Sequence, residues 1–319
     1  MALKVVNLSK RYKDKWVLRD ITFDVAAGEI FGICGPGGAG KTSLLATLSG
    51  VRPNNGGACL IDGKEVSTGV RRRWLHYSPM HVDSLWRRVF SNSAKIATEN
   101  RIRHFSDQMS AADAVALLDD PFLGLDGQAS SKVREIIAGG RDRGLAIILA
   151  ATDFEHVMSV ADRAAILAGT EIKQTGTPED LYENPVTRAV ASVTGRCNFF
   201  EGRRLSSSKA EIPEFLTIDG GHRLFAKSIE RGSLGAINQN VTLGIRPEHI
   251  SISFGASFPE DNLLRATITG VQFLGPTTLV ELDCDGLKLE SLVLRLVGLN
   301  IGDECVVGLP PERVHIFRS

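Results

Sequence analysis

The chain has 319 residues, enough for two domains that each bury a hydrophobic core. Its 37 basic residues balance 37 acidic ones, so the charge gives no reason to expect a nucleic acid partner. The 5 cysteines lack the spacing of a metal or redox site, which favours reduced thiols in a cytosol. No secretory signal is predicted and no apolar run approaches the ~20 residues that cross a bilayer. Any membrane role is therefore expected to be peripheral.

Two antiparallel strands are predicted first, over Leu3 to Leu8 and Trp16 to Val25. Tyr12 lies in the connection between them. Its ring could stack on the flat face of an adenine, which needs no specific base edge. It could equally be an exposed tyrosine of a hairpin, and the spacing leaves both interpretations open.

The next segment carries a phosphate-binding loop. A buried-strand pattern over 29–34 leads into it, and a helical pattern follows up to Ser49. Glycines let backbone N–H groups surround phosphate oxygens, with the positive end of the helix behind them. Lys41 is expected to hold the outer phosphates and Thr42 to bind Mg²⁺. The predicted nucleotide site comprises Gly35, Pro36, Gly37, Gly38, Ala39, Gly40, Lys41, Thr42 and Ser43, and all fixed positions of G-x-x-x-x-G-K-[ST] are met.

Further along, carboxylates follow buried strands. The run from Ala116 to Leu118 ends in Asp119 and Asp120, which places an acid where a phosphate-bound Mg²⁺ needs one. A helix is predicted from Gln128 to Ala138, stopped by the glycine pair that follows. Thr152 comes after the next buried strand, at the end of the sheet where α/β proteins expose functional groups.

The remaining elements divide the chain. A strand over 164–167 and a helix beginning at Thr177 and Pro178 complete an α/β region. Beyond it the runs are short and β-rich, separated by turn residues, which predicts a small all-β barrel. That barrel could bind a ligand or serve as a dimerising or regulatory appendage. The predicted division is a nucleotide-binding domain over 1–195, a linker over 196–208 and a β-domain over 209–319.

These residues carry a resemblance. The loop, the Leu117 to Pro121 strand and the segment from Gly176 to Tyr182 resemble the ATP-binding subunits of ABC transporters. Segments 244–250 and 310–317 resemble the C-terminal domain of the carbohydrate-importer branch, of the maltose and glycerol-3-phosphate type. The resemblance implies an α/β P-loop NTPase, a RecA-like ABC ATPase core, followed by an OB-type TOBE barrel. It also implies binding of ATP and Mg²⁺, and import of a sugar, polyol or related solute.

Three features of that family are missing or altered. Met80 occupies the position of a glutamine that contacts Mg²⁺ in the family, and a thioether is a poor Mg²⁺ ligand. Asp119 follows Met80 by only 39 positions, so the helical subdomain is expected to be reduced. The signature that grips a phosphate in the opposite subunit is absent, and its aligned segment, 95–99, ends in Glu99, whose charge would repel a phosphate.

Two further departures concern the catalytic residues themselves. Asp120 stands where the family has a glutamate that polarises the attacking water, and its side chain is one methylene shorter. Thr152 stands where the family has a histidine, and it cannot carry the charge of an imidazole. Both are the predicted catalytic residues, in degenerate form, with Thr42 and Asp119 as the predicted Mg²⁺ ligands.

Three functional interpretations follow. The first is a degenerate ATP-binding subunit paired with a more complete one, on the inner face of the cell membrane, with membrane subunits and an extracytoplasmic solute-binding protein. The second is a slow ATPase acting as a homodimer. The third is a non-catalytic module that binds ATP as a structural or regulatory ligand. The arginines at 71–73 and 87–88 are either attracted to lipid heads or a membrane subunit, or simply solvated.

Overall fold

The structure is a computed structural model that describes residues 2–78, 94–206, 212–226, 236–255, 262–294 and 298–317. The chain forms two compact units, Met1–Pro185 and Val186–Ser319. None of the helices in the described ranges is both long and apolar enough to cross a membrane. All 5 cysteines are free thiols, as the absence of a disulfide pattern predicts.

The first unit contains two sheets that share one hydrophobic core. Five strands of the six-stranded sheet are parallel, as the alternation of strands and helices predicts, and β10 adds an antiparallel edge. The predicted antiparallel pairing of the first two strands is confirmed. The strands of the four-stranded sheet, in the order β2-β1-β4-β5, are β1 Ala2–Tyr12, β2 Lys15–Ala26, β4 Gly56–Ile61 and β5 Lys64–Glu65. Those of the larger sheet, ordered β10-β9-β3-β8-β7-β6, are β3 Ile30–Cys34, β6 Leu75–Tyr77, β7 Val115–Asp119, β8 Ala146–Ala151, β9 Arg163–Ala168 and β10 Glu171–Gly176.

The described helices of this unit lie between its strands and after the last of them. The predicted helix start at Thr177 is present, since its hydroxyl accepts from the backbone N–H of Asp180. The described helices are α1 Lys41–Leu48, α2 Thr68–Arg71, α3 Ala94–Ala111, α4 Gly127–Asp142, α5 Phe154–Met158 and α6 Pro178–Glu183.

Helix α4 runs past the glycine pair that was expected to end it. A side chain at Gly140 would collide with the terminal methyl of Met109 on α3, with 2.7 Å between the carbon atoms. Glycine at this position is thus a close-packing residue between two helices. The intrinsic cost of a helical glycine, about 1 kcal/mol, is offset by that packing.

One basic cluster has a structural role that its sequence does not indicate. Arg71 is buried, and its guanidinium donates to the carbonyl oxygen of Thr47 at 3.1 Å. A solvated interpretation is therefore wrong for Arg71, whereas Arg72 and Arg73 are exposed. Arg87 and Arg88 lie outside the described residues.

The second unit is a short helix followed by two five-stranded antiparallel sheets around a single core. The all-β expectation is confirmed for the region after the helix. The helix is α7 Arg188–Thr194. One sheet, ordered β13-β12-β11-β14-β20, comprises β11 Asn198–Arg204, β12 Glu214–Thr217, β13 Arg223–Phe225, β14 Asn240–Ile245 and β20 His315–Phe317. The other, ordered β15-β19-β16-β17-β18, comprises β15 Ser251–Ser253, β16 Asn262–Phe273, β17 Thr277–Cys284, β18 Leu287–Leu294 and β19 Glu304–Leu309.

The division between the units differs from the predicted boundaries of 195 and 196–208. It falls between Pro185 and Val186, so α7 belongs to the β-rich unit. Arg246, which is 1% exposed, explains this, because its guanidinium donates to the carbonyl of Ala191 at 2.9 Å and to the hydroxyl of Thr194 at 2.7 Å. The segment expected to be a linker contains β11, which pairs with β12 and β14.

Candidate nucleotide-binding site

The glycine-rich loop connects β3 to α1, as predicted. Gly40 precedes the helix with φ 104°, a conformation that favours glycine. At Gly35 a Cβ would overlap the carbonyl oxygen of Leu167 on β9, so this position also requires glycine. Ala39 donates its N–H to Pro36 at 3.1 Å and closes the turn, and a Cβ at Gly37 or Gly38 would meet open space. The loop therefore has a fixed base and an open rim.

Lys41, the first residue of α1, extends back into the loop. Its ammonium donates to the carbonyl oxygens of Gly35 at 2.7 Å and Pro36 at 3.1 Å, and the residue is 7% exposed. Burial lowers the pKa of Lys41, while Cys34, Asp120 and Asp119 act in the opposite direction. A cation held by two neutral carbonyls in a buried position is well prepared to exchange them for phosphate oxygens.

Thr42 and Asp119 lie near each other in the structure. Asp119 is 7% exposed at the C-terminal end of β7, and the hydroxyl of Thr42 is close enough to lower the pKa of its carboxyl group. Burial raises the pKa of Asp119, whereas the hydroxyl of Thr42 and the charges of His76 and Lys41 lower it. The predicted pair of Mg²⁺ ligands is thus brought together from different elements of the sheet.

His76 is a residue of this site that sequence reasoning missed. It lies on β6 opposite Leu117 of β7, two positions before Asp119 on the same face of its strand. No local motif surrounds it, and only the parallel pairing of β6 with β7 places it near the carboxylate. A histidine on a strand next to a strand that ends in acids would have been the one available signal.

Asp120 and Thr152 also meet. The hydroxyl of Thr152 donates to a carboxylate oxygen of Asp120 over 3.4 Å, a long hydrogen bond. The backbone of Asp120 has φ 49°, and its N–H donates to Ala150 at 2.8 Å. Thr152 is exposed at the end of β8. The two predicted catalytic residues therefore stand at one edge of the sheet, with a weak contact between them.

Tyr12 lies beside the loop helix. Its hydroxyl donates to Ser43 at 3.5 Å, and the ring is half-buried. The ammonium of Lys10 stands 4.9 Å and the guanidinium of Arg52 5.3 Å from the ring centre. These contacts show that Tyr12 is not simply an exposed residue of a hairpin. Its contact with the base of a bound nucleotide stays a prediction.

The segment aligned with the missing signature lies in the first turns of α3, where Glu99 is exposed. Met80 lies outside the described residues. The described residues that precede β7, from 94 onward, contain one helix, α3. Arg101 of α3, which sequence reasoning also missed, contacts the turn after Asp120.

The donor set fits a magnesium nucleotide. Thr42 and Asp119 offer hydroxyl and carboxylate oxygens, the ligands that Mg²⁺ prefers. The open rim at Gly37 and Gly38 leaves space for phosphates, and Lys41 supplies positive charge. The Cys34 thiol beneath the loop stays neutral, because burial raises its pKa to about 12.

Comparison with known proteins agrees with this geometry. The family described as "ABC transporter" matches residues 18–158, and the "TOBE domain" matches residues 243–317. The chain is 28% identical to the molybdate/tungstate import ATP-binding protein WtpC of Pyrococcus horikoshii, covering 99% of both chains. It is 26% identical to the sulfate/thiosulfate import ATP-binding protein CysA of Bacillus cereus, covering 99% and 98%. It is also 26% identical to the maltose/maltodextrin import ATP-binding protein MalK of Mannheimia succiniciproducens, covering 98% and 94%.

Proposed function

We propose that the chain, which resembles the ATP-binding subunits of ABC transporters over residues 18–158 and a TOBE domain over residues 243–317, binds ATP for the import of a small solute and hydrolyses it weakly on its own. The observation that supports binding is the convergence of Lys41, Thr42 and Asp119 around the glycine-rich loop. Two observations support weak hydrolysis. The side chain of Asp120 is shorter than that of glutamate, and its hydrogen bond from Thr152 is long, at 3.4 Å.

The residues divide the work of binding. Lys41 is placed to exchange its carbonyl partners for phosphate oxygens, and the N-terminus of α1 favours the negative charge. Thr42 and Asp119 would hold Mg²⁺, which when bound neutralises charge on the phosphates. Tyr12, anchored to Ser43, is proposed to contact the adenine from beside the loop.

The hydrolytic side is less complete. A general base acts only from hydrogen-bonding distance of the water that it orients. Asp120 has a shorter side chain than glutamate, and Thr152 donates a hydrogen bond without contributing a charge. Removing one transition-state donor typically lowers a rate by about 10² to 10³. Turnover by the isolated chain is therefore expected below the ~1–10³ s⁻¹ usual for enzymes.

The partners are proposed from the relatives. The chain is expected to work with membrane subunits, an extracytoplasmic solute-binding protein and a second, more complete ATP-binding subunit, on the inner face of the membrane. The similar proteins are named for molybdate, sulfate, polyamine and maltose import, so they do not favour a sugar over an oxyanion. A sugar or polyol stays a prediction from the resemblance.

The test combines affinity with turnover of the full chain. Calorimetry is expected to give a micromolar to millimolar Kd for ATP with Mg²⁺, about −4 to −8 kcal/mol. The double variant Asp120→Glu with Thr152→His is expected to raise ATP turnover at least about tenfold when a signature-bearing subunit is added. Ordinary turnover by the lone wild-type chain would contradict the weak-hydrolysis proposal.

Pairing is tested separately. Affinity capture of the full chain from cells that carry its neighbouring genes is expected to recover a second ATP-binding subunit together with membrane subunits. Recovery of membrane subunits with this chain as the sole ATP-binding subunit would contradict the heteromeric arrangement and favour a slow homodimer. Recovery without membrane subunits would contradict the transport role.

A further inference from the structure

The guanidinium of Arg101 joins α3 to the turn that follows Asp120. It donates to the carbonyl oxygen of Leu123 at 2.7 Å and to that of Pro121 at 2.8 Å. Its third nitrogen donates to the hydroxyl of Tyr77 at 3.2 Å. One side chain thus uses its planar fork to hold two alternate carbonyls of one turn, an arrangement for which arginine is better suited than lysine.

The base of this clamp is rigid. Tyr77 is 3% exposed at the end of β6, and its ring packs at 4.6 Å against the ring of Phe105, which α3 contributes one turn beyond Arg101. Phe105 is itself buried. The helix and the strand are therefore fixed to each other, and Arg101 extends from this fixed surface to the turn.

The turn has other supports as well, because Phe122 is 1% exposed with its ring 4.9 Å from that of His156, and the N–H of Leu125 donates to the carbonyl of Phe122 at 3.1 Å. The N–H of Leu123 donates to the carbonyl of Asp120 at 3.0 Å, and the N–H of Asp120 donates to Ala150 at 2.8 Å. Asp120 has the left-handed φ of 49° that this turn imposes. The direction of its carboxylate therefore depends on the backbone of 120–123, and two carbonyls of that backbone are held by Arg101.

We propose that Arg101 is a positioning residue, which holds the Asp120 carboxylate in place through the carbonyls of Pro121 and Leu123 and makes that position dependent on α3. This inference rests on the proposed ATP hydrolysis. It assigns to Arg101 no contact with the nucleotide, so its loss is expected to change the rate of hydrolysis and to leave ATP affinity in place.

The experiment compares full-length variants by three measurements. Arg101→Met removes the clamp and keeps the length of the side chain, and Arg101→Lys keeps the charge without the fork. Arg103→Met is the matched control, because Arg103 is exposed on the same helix and its guanidinium contacts Asn100. The measurements are amide hydrogen exchange of the peptide 120–126 without nucleotide, the ATP Kd and the single-turnover hydrolysis rate.

In Arg101→Met, exchange of 120–126 is expected to rise at least about tenfold, and the rate to fall by a similar factor, with the Kd changed by less than about twofold. Arg101→Lys should fall between this variant and the wild type, and Arg103→Met should match the wild type. Unchanged exchange in Arg101→Met would overturn the inference, as would an equal loss of affinity and rate. If the wild type neither binds nor hydrolyses ATP, the proposed function fails, and the exchange measurement still decides whether the clamp exists.

Discussion

Both units of this protein contain a buried cationic side chain, and Lys41 of the first unit is used differently from Arg246 of the second. Lys41 in the first unit is held by two carbonyls of the loop that carries it. Arg246 in the second unit, which is 1% exposed, is held by groups of a different element, namely Ala191, Thr194 and Arg196 around the end of α7. Local partners can be exchanged for a ligand without disturbing the fold, whereas long-range partners join elements and cannot be released. The contrast separates a charge placed for binding from a charge placed for architecture.

Replacing Lys41 tests the first half of that contrast. Lys41→Ala is expected to weaken ATP binding at least about 100-fold, or about 3 kcal/mol, because the phosphates lose their positive partner. The unfolding free energy should change by only about 1 kcal/mol, since of the two carbonyls that lose their donor that of Pro36 belongs to an exposed residue and only that of Gly35 is buried. Calorimetry and thermal unfolding measure both, with Lys132→Ala, at an exposed position of α4, as the control. Unchanged affinity in Lys41→Ala would remove the basis of the proposed function.

Replacing Arg246 tests the second half. Arg246→Met is expected to lower the unfolding free energy of the second unit by about 2–3 kcal/mol, because the carbonyls at the end of α7 stay buried without their donor. ATP affinity should stay within about twofold. The 3 tryptophans, all before residue 186, report on the first unit alone, so a change in far-UV circular dichroism without a change in tryptophan fluorescence is assigned to the second unit. Arg265→Met, exposed on β16, is the control, and equal destabilisation of both variants would refute the assigned role.

A titration sharpens the same contrast. Burial lowers the pKa of His315 from 6.5 to about 4, with Arg246, His249 and Arg313 adding to the effect. A group whose folded pKa is depressed contributes stability that is present above pH 6.5 and lost as the pH falls toward 4. The second unit should lose about 2 kcal/mol from this group between pH 7 and pH 5. His315→Gln should show a correspondingly shallower pH dependence in urea unfolding, and an unchanged slope would contradict the assignment.

The smallest effect is expected at the edge of the nucleotide site. Thr152→Val removes the 3.4 Å bond to Asp120, whose geometry is that of a weak contact. ATP affinity should stay within about twofold and turnover within about fivefold, or about 1 kcal/mol. Thr152→Ser, which keeps the hydroxyl, is the control in the same steady-state assay. A loss of several orders of magnitude would make Thr152 a full participant in hydrolysis.

Much of the fold could be read from local patterns. Three strands of the α/β unit are buried apolar runs that lead into the glycine-rich loop, Asp120 and Thr152. The loop motif then determines the positions of Lys41 and Thr42. The predicted helix α4 was too short because Gly140 was treated as a residue that ends helices. In the structure it continues the helix and leaves room for the side chain of Met109 on α3. The division between the units lies after Pro185, ahead of the expected position 195. The sequence does not indicate this, because Arg246, which bonds to α7, lies about fifty positions further along the chain.

The site was predicted where residues share a motif and missed where they meet only in space. Thr42 and Asp119 were predicted to act together because each ends or follows a recognisable element, and the structure places them near each other. His76 and Arg101 reach the same region through the pairing of β6 with β7 and the packing of α3. The hydrophobic periodicity of the sequence does not predict such contacts, since they depend on which strands become neighbours.

The left-handed backbone at Asp120 makes this position asymmetric with respect to substitution. Aspartate adopts that conformation at little cost because a short polar side chain can bond to nearby backbone, whereas a longer residue costs about 1 kcal/mol. Asp120→Glu should therefore melt a few degrees below the wild type, and Asp120→Asn should not. The double variant Asp120→Glu with Thr152→His is therefore expected to gain turnover at a cost of about 1 kcal/mol in stability, which the backbone at position 120 imposes.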